Sequence, residues 1–388
     1  MKRSATATLL FARWKALQLP TAPLELLRTA SSSTKHTVLL AVAIAWLPAA
    51  VLCAVQGGGA LRSFFTDFAA QSRFWIVIPI LILAAPPLRA RLEAVAGNFF
   101  HDGLIKEKDS ARFTSAFESF KHLARSPVSQ IVTALLVLVL AVSLFSDVQA
   151  MGLPASWYYG GGGVGSLSPA GVWYVLISLP IVTFLLFRWI WWQVLWARFL
   201  RGVAGMDLRL VAAHPDRAAG LGFVETCLRG YMPFCFAVGT LVAGGVANRV
   251  VYLHAPLKAF QYIPLVFIPI VVAICVGPLC FFFQLLVVAR RKGIVEYGAL
   301  ASSVGRQFEQ RWIRSGSKVD ESALEAQDFS ATTDLYSIAA NVHQMKPFPL
   351  GVQSLTRLAW ATLAPAVPVI FLALPFDVIV ERILKMLL

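Results

Sequence analysis

This chain of 388 residues is 58% apolar and only 14% charged, with a formal net charge of +14. Because soluble domains are about 45–50% apolar and about 25% charged, this composition excludes an ordinary soluble protein and predicts an integral membrane protein. The basic residues flank apolar segments instead of gathering on one face. Nucleic acid is therefore not an expected partner, whereas the lipid bilayer is, with the anionic lipids of its inner leaflet.

The N-terminal segment predicts a short amphipathic helix that lies on the inner membrane surface. Leu10, Trp14 and Leu17 share one helical face, and basic residues stand close to them. Arg13 and Lys15 interrupt the apolar stretch within a few residues, so this segment is not expected to be a cleavable signal.

Seven apolar runs follow. They predict an all-α fold, a polytopic transmembrane helical bundle of about seven spans, because about 20 residues cross the hydrocarbon core. The runs are Thr37–Val55, Phe74–Leu88, Val128–Phe145, Val172–Phe187, Tyr231–Ala247, Ile263–Ala289 and Leu358–Phe376. Phe74–Leu88 is short for a span, so interfacial residues such as Arg73, Trp75 and Arg89 are expected to complete its ends.

Lysine and arginine alternate between the connections and predict the orientation of the chain. Of the 34 basic residues, 28 precede the first run or lie in the even-numbered connections, and 6 lie on the other side. Since basic residues are retained in the cytoplasm, we expect a cytoplasmic N-terminus and a C-terminus on the outer side of the membrane. Residues 1–388 then form a single integral membrane domain, with residues 290–357 as a cytoplasmic helical region between spans six and seven.

The cytoplasmic connections predict amphipathic helices. Phe113 and Phe120 belong to an apolar stripe at helical spacing in the second connection. Another stripe predicts that the span from Ile263 continues into the cytoplasm as one long helix. A further helix is expected over residues 335–345, with Asp334 as its N-cap. Together these helices predict a layer beneath the bundle.

The connection 158–171 on the outer side is rich in glycine. Trp157, Tyr158 and Tyr159 at its start suit an aromatic belt at the membrane interface. A glycine-rich loop can cradle phosphate, but no Lys-Thr or Lys-Ser pair follows this one, so a spacer is expected.

The apolar runs contain no Lys, Arg, Asp, Glu or His, which argues against a proton relay and an intramembrane protease. They do contain prolines, among them Pro278 in the sixth run and Pro365 in the seventh. Proline removes an amide donor and frees carbonyls that must find other partners. The bend at Pro278 either opens a cavity or acts as a hinge, or its proline is simply one that membrane helices tolerate.

The end of the fourth run predicts an aromatic and cationic helix face at the cytoplasmic boundary. Trp189, Trp192 and Trp196 share one face, and Arg188 lies on another part of the same helix. Both residue types prefer the headgroup zone, so anchoring is the expected role. The alternative is a mouth that selects anions, which makes Arg188, Trp189 and Pro278 candidate ligand or gating residues.

A polar stretch that stands out in this apolar chain is AAHPDRAAGLGFVE, residues 212–225. His-Pro-Asp is the signature tripeptide of J-domain cochaperones, but a membrane span begins at Tyr231, where a J-domain needs a third soluble helix. We expect Pro215 to occupy the first turn of a helix that His214 or Asp216 caps.

Three roles for this stretch stay open. It is a structural corner, a ligand, ion or gating site that includes His214, Asp216, Arg217 and Glu225, or a catalytic site. His214, Asp216 and Glu225 are suitable N/O metal ligands, but their spacing follows no known rule, so no metal site is predicted. Glu225 also breaks a Gly-x-Gly-x-x-Gly pattern, and no dinucleotide or other cofactor is expected.

The pattern His-Pro-Asp-Arg-Ala-x-Gly-Leu-Gly-Phe, residues 214–223, resembles a motif of uncharacterised multi-pass bacterial inner-membrane proteins. The tail is similar as well, from Tyr336 to Val342, then MKPFPL and a terminal helix with prolines. The likeness covers about the second half of the chain, and Ala219 stands where the motif has a glycine. It implies a multi-pass topology and a bacterial origin, and it carries no activity. With the predicted orientation, it implies a bacterial cytoplasmic (inner) membrane with a periplasmic C-terminus.

The leading hypothesis from the sequence is an oligomeric channel or passive transporter of ions or small solutes. It depends on the kinked sixth and seventh spans, the charge-free runs and the basic aromatic mouth. The alternative is a non-transporting membrane scaffold or sensor whose cytoplasmic helices bind a partner. An enzyme acting through His214 and Asp216 comes third, so catalysis is not the expected role.

Overall fold

The computed structural model describes residues 31–147, 156–160, 167–314 and 327–373. The expected surface helix near residues 10–17 lies outside the described residues, as does Pro375 of the last run. Within them the fold is all-α, as predicted, and the only strand-like pairings are two isolated bridges.

The main helical segments of the described chain are taken in order. They are α1 Ser32–Gln56, α2 Gly58–Thr66, α3 Phe68–His101, α4 Glu107–Arg125, α5 Pro127–Asp147, α6 Pro169–Ala204, α7 Gly222–Leu253, α8 Leu257–Arg314, α9 Gln327–His343 and α10 Val352–Phe371. Six of these, α1, α3, α6, α7, α8 and α10, are long and apolar enough to cross a membrane. The bent pair of α4 and α5 brings the number to seven if it counts as one span.

Hydrogen bonds at the two ends of the bundle indicate that α5 crosses it as a seventh helix. Asp67, just before α3, marks one end, and Asp216, just before α7, marks the other; we name the two ends after these residues. Leu104, beyond the last residue of α3, accepts a hydrogen bond from Arg209 N at 2.8 Å at the Asp216 end. Trp157 Nε1 donates to Asp67 at 3.0 Å. The helix between Leu104 and Trp157, α5, therefore crosses the bundle, in agreement with the seven predicted spans.

The second span is longer than the run Phe74–Leu88. It begins where Asp67 accepts a hydrogen bond from Ala70 N at 2.9 Å as the N-cap, and its 34 residues cover Phe68–His101. Arg73 and further ionisable residues lie inside this helix. The crossing helices therefore carry charge, although the apolar runs within them carry none.

A polar side chain from α6 holds the bend in α8. Pro278 lies in a 3-10 turn, Gly277–Phe282, that interrupts α8. Because proline has no amide hydrogen, it leaves the carbonyl four residues earlier, Ile274 O, without its helical partner. Gln193 Nε2 donates to Ile274 O at 2.7 Å and to Cys275 O at 3.0 Å. The bend is thus fixed by a neighbouring helix.

α1 shows the same arrangement around its own proline. Pro48 lies inside this helix and leaves Ile44 O without an amide donor. Trp173 Nε1 donates to Ile44 O at 3.2 Å, and Ser178 Oγ donates to Ala45 O at 2.7 Å. Side chains of α6 therefore donate hydrogen bonds to carbonyls beside prolines in two different helices.

Small residues in α7 allow its neighbours to approach closely. A Cβ atom at Gly239 would overlap the carbonyl oxygen of Thr362 in α10. Gly244 packs in the same way against Ala69 and Ser72 of α3. α7 is therefore held between α3 and α10 by backbone contacts that a larger side chain would prevent.

At the Asp216 end, helices extend past the bundle and form the predicted layer. Phe113 and Phe120 of α4 are buried, and their rings lie 5.7 and 5.9 Å from the ring of Phe199 in α6. α8 continues to Arg314, as the apolar stripe predicted.

The helix predicted over residues 335–345 is longer than expected. α9 spans Gln327–His343, so Asp334 lies inside the helix, and its predicted role as the N-cap is wrong. Phe329 of α9 packs 5.1 Å from the Trp312 ring of α8, which extends the contact between the two helices toward the start of α9.

Candidate functional site

The His-Pro-Asp stretch forms a corner around the Asp216 carboxylate. Oδ1 of Asp216 accepts hydrogen bonds from Ala218 N at 2.8 Å and Gly220 N at 3.1 Å, and Oδ2 accepts from Gly222 N at 2.8 Å. His214 Nδ1 lies 2.8 Å from Oδ1. Burial raises the pKa of Asp216, but the amide hydrogen bonds outweigh it, and the pKa lies below its usual value.

The backbone of this corner differs from the predicted helix start. Residues 212–221 form turns, and Pro215 does not begin a helix. Arg217 and Ala219 both have a φ of +55°, a left-handed conformation that is unfavourable for residues with a Cβ atom. The hydrogen bonds to Asp216 offset this strain, so the stretch is a fixed corner.

The other candidates in this stretch contact the segment before α10. The carbonyl of Arg217 accepts a hydrogen bond from Lys346 N at 2.8 Å. The carboxylate of Glu225 accepts one from Ser354 Oγ near the start of α10. Among the described residues, no three His, Cys, Asp or Glu side chains gather as metal ligands. Glu225 and Asp216 therefore belong to separate sets of contacts.

The tryptophan face of α6 lies inside the bundle. Its predicted place among the lipid headgroups is therefore wrong. Trp189, Trp192 and Trp196 are only 2%, 3% and 0% exposed. Trp189 Nε1 donates to Leu81 O of α3 at 3.0 Å, and its ring stacks 5.7 Å from that of Phe234 in α7. The indoles fill the space between helices because α3 and α7 both pack against this face.

Arg188 lines a cavity of about 610 Å³ bounded by α1, α3, α5 and α6, which we call the Arg188 cavity. Its guanidinium carbon lies 5.0 Å from the centre of the Trp192 ring, and that of Arg89 lies 4.5 Å from the same ring. Thr34 and Thr37 add hydroxyl groups from the beginning of α1. The wall is otherwise mainly apolar, with Leu81, Ile82, Val137, Ile177, Ile181 and Phe184 among its side chains.

The charge of Arg188 in this cavity is not balanced by any carboxylate of the described residues. Arg188 stacks on Trp192, yet it makes no ion pair and no side-chain hydrogen bond with any described residue. Pro278 does not line the cavity; its turn packs against other helices, with Phe282 stacked 6.0 Å from Phe99. The sequence candidates therefore occupy three places: the corner, the Arg188 cavity and the bend in α8.

A fully buried carboxylate that the sequence did not single out lies at the other end of the bundle. Asp67 Oδ2 accepts hydrogen bonds from Trp157 Nε1 at 3.0 Å and Tyr158 OH at 2.7 Å, and Oδ1 accepts from Asn248 Nδ2 at 2.7 Å. Burial raises the pKa of Tyr158 well above its usual value, so this hydroxyl stays protonated and donates. Trp157 and Tyr158 are buried, so their predicted place in an interfacial belt is wrong.

Comparisons with protein-family models, with curated proteins and with solved structures find no match. The chemistry of the Arg188 cavity and of the corner is therefore argued from their geometry.

Proposed function

We infer that this protein is a multi-pass protein of the bacterial cytoplasmic membrane that binds an anionic lipid in the Arg188 cavity. One observation carries the inference. The guanidinium of Arg188 lines a largely apolar cavity of about 610 Å³ and has no carboxylate partner among the described residues.

The chemistry of the cavity matches an amphiphile with a negative headgroup. An isolated charge inside a membrane-spanning helix is unfavourable and calls for a counter-charge. Guanidinium presents a planar set of donors that fits phosphate or carboxylate oxygens. Stacking on Trp192 holds Arg188 in place and contributes about 0.5–2 kcal/mol. The apolar wall, meanwhile, suits an acyl chain.

The location of the cavity supports a lipid of the cytoplasmic leaflet. The cavity includes the start of α1, so it lies toward the Asp216 end of the bundle. The connections at this end hold most of the basic residues, which favours a cytoplasmic orientation. The resemblance of residues 214–223 to bacterial inner-membrane proteins supports a bacterial cytoplasmic membrane.

A bound lipid fits the sensor or scaffold hypothesis better than the channel hypothesis. Trp189 stacks on Phe234 and bonds to Leu81, and Gln193 restrains the bend at Pro278. These contacts hold Trp189 and the bend at Pro278, on which the channel hypothesis depends, against neighbouring helices. We therefore propose a binding role for the chain, without catalysis.

Lipid binding is tested on the purified full chain by native mass spectrometry. Phosphatidylglycerol and phosphatidylcholine with identical acyl chains serve as the probes. The wild type should retain phosphatidylglycerol preferentially, and Arg188→Gln should weaken this binding roughly 10- to 100-fold, because a hydrogen bond to a charged group contributes about 1.5–3 kcal/mol. Val137→Trp, which fills the cavity, should weaken binding as well.

Arg198→Gln is the matched control, because Arg198 is an exposed arginine further along α6 and does not line the cavity. Thermal unfolding of every variant checks that it is folded. If folded Arg188→Gln and Val137→Trp keep the wild-type preference for phosphatidylglycerol, the Arg188 cavity is not the lipid site.

A further inference from the structure

A second cleft opens at the Asp216 end, between the beginnings of α7 and α10. Its volume is about 400 Å³, and it shares no lining residue with the Arg188 cavity. Arg229 lines it from α7, Lys346 from the segment before α10, and Arg357 from α10. We propose that this cleft binds a phosphate group.

The three cations carry the proposal because three separate parts of the chain bring them together and no carboxylate among the described residues pairs with them. None of Arg229, Lys346 and Arg357 forms an ion pair or a side-chain hydrogen bond with the described residues. Arg91, which is buried in α3, lies close enough to Arg229 for repulsion between the two guanidinium groups. An anion in the cleft would relieve this repulsion.

Glu225 is the one acidic side chain among the lining residues, and it does not neutralise the cations. Its carboxylate is bound to Ser354 Oγ, and it also lies against Gly351. One carboxylate against three cations leaves an excess of positive charge in the cleft. The excess matches the charge of a phosphate group, which carries one or two negative charges.

The start of α10 adds to the positive potential of the cleft. This helix begins at Val352 after Gly351, which offers no side chain to accept from the first amides. Free amide hydrogens and the aligned peptide dipoles favour an anion at such a helix start. They assist the three side chains and do not form the site by themselves.

The His-Pro-Asp corner explains why these side chains meet. Asp216 binds Gly222 N at 2.8 Å and fixes the first residue of α7 at the cleft. The carbonyl of Arg217 binds Lys346 N at 2.8 Å and fixes the segment before α10. The corner is thus a positioning element for the walls of the cleft.

The ligand is a phosphate group carried either by a lipid headgroup or by a soluble molecule. Two membrane-crossing helices begin at the cleft, so a headgroup is within reach, and the volume also admits a small soluble phosphate compound. The binding chemistry is the same for both sources. This site is independent of the lipid proposed for the Arg188 cavity.

The first arm of the test titrates inorganic pyrophosphate into the detergent-purified full chain and measures the heat of binding. The second arm compares phosphatidylglycerol with phosphatidylcholine by native mass spectrometry in an Arg188→Gln background, so that the remaining lipid reports on the cleft. The double variant Arg229→Gln, Arg357→Gln should bind at least about 10-fold more weakly to one of the two probes, pyrophosphate in the first arm or phosphatidylglycerol in the second.

Two further variants make the result specific. Glu225→Gln should bind more tightly in the same arm, because it removes a negative charge beside the phosphate. Arg249→Gln, an exposed arginine at the other end of α7, should bind like its parent. A loss in the first arm assigns a soluble ligand, and a loss in the second assigns a headgroup. Equal affinities of the folded double variant and its parent in both arms would overturn the proposal.

Discussion

Asp67 and Asp216, one at each end of the bundle, both accept several hydrogen bonds, but their donors come from different parts of the chain. Each holds a carboxylate away from bulk water and surrounds it with donors. Asp216 takes its hydrogen bonds from backbone amides within six residues along the chain. Asp67 takes its side-chain donors from Trp157, Tyr158 and Asn248, which are 90, 91 and 181 residues away.

The difference shows what each carboxylate stabilises. Asp216 fixes one turn of the backbone and, through it, the cleft beside α7. Asp67 ties α3 to α7 and to the segment before α6, so its hydrogen bonds hold the tertiary arrangement. Removal of the Asp216 carboxylate should therefore destabilise one corner, whereas removal of the Asp67 carboxylate should destabilise the whole fold.

Replacement of Asp67 should have the largest effect. Asp67→Ala leaves the buried donors Trp157 Nε1, Tyr158 OH and Asn248 Nδ2 without their acceptor. We expect a loss of about 3–5 kcal/mol in the free energy of unfolding, because each buried donor left without an acceptor costs about 1–3 kcal/mol. Equilibrium unfolding in mixed detergent micelles measures it.

Asp67→Asn is the matched control for this prediction. It keeps the size of the side chain and one acceptor oxygen, so it should lose less than Asp67→Ala. A Trp157→Phe substitution in the Asp67→Ala background should add little, because its partner is already gone. Additive losses would show that Asp67 and Trp157 act separately.

The same difference explains how much the sequence could predict. The sequence singles out the corner because polar residues and glycines lie close together in one short stretch, but it does not predict the turn conformation. The hydrogen bonds around Asp67 could not be predicted, because nothing in a single sequence pairs Asp67 with an aromatic residue 90 positions later. Trp157 and Tyr158 therefore resembled an ordinary interfacial belt.

Helices were predicted well, but the faces they bury were not. Apolar runs and helical spacing gave the crossing helices, the layer and the long extension of α8. The tryptophan face of α6 was misplaced because lipid and protein interior are both apolar, so composition does not separate a lipid-facing side from a buried one. The Arg188 cavity follows from that packing, and only the arginine itself was visible in the sequence.

Asp216→Ala should have an intermediate effect. The three amides it frees are only partly buried and can turn to water, so we expect a loss of about 1–3 kcal/mol. The folded pKa of Asp216 lies below its unfolded value, so the carboxylate stabilises the fold above the unfolded pKa, and this contribution fades as pH falls through the folded pKa. The difference between wild type and Asp216→Ala should therefore shrink below about pH 4.

The pH series separates this effect from a simple loss of packing. Unfolding midpoints of the two proteins at neutral pH and in steps down to strongly acidic buffer provide the comparison. A difference that stays constant through the acid range would mean that the Asp216 side chain, and not its charge, stabilises the corner.

Asp207 gives the smallest expected effect, and it tests whether any aspartate at this end would behave like Asp216. Lys106 and Lys108 lie 2.6 and 2.8 Å from its carboxylate and hold its pKa at about 2. The pair of contacts is exposed, so water and salt screen it. Asp207→Asn should leave the unfolding midpoint unchanged at physiological salt and lower it slightly at low salt. A loss at physiological salt as large as that of Asp216→Ala would show that charge near the corner stabilises the Asp216 end, and that the amide hydrogen bonds of Asp216 do not.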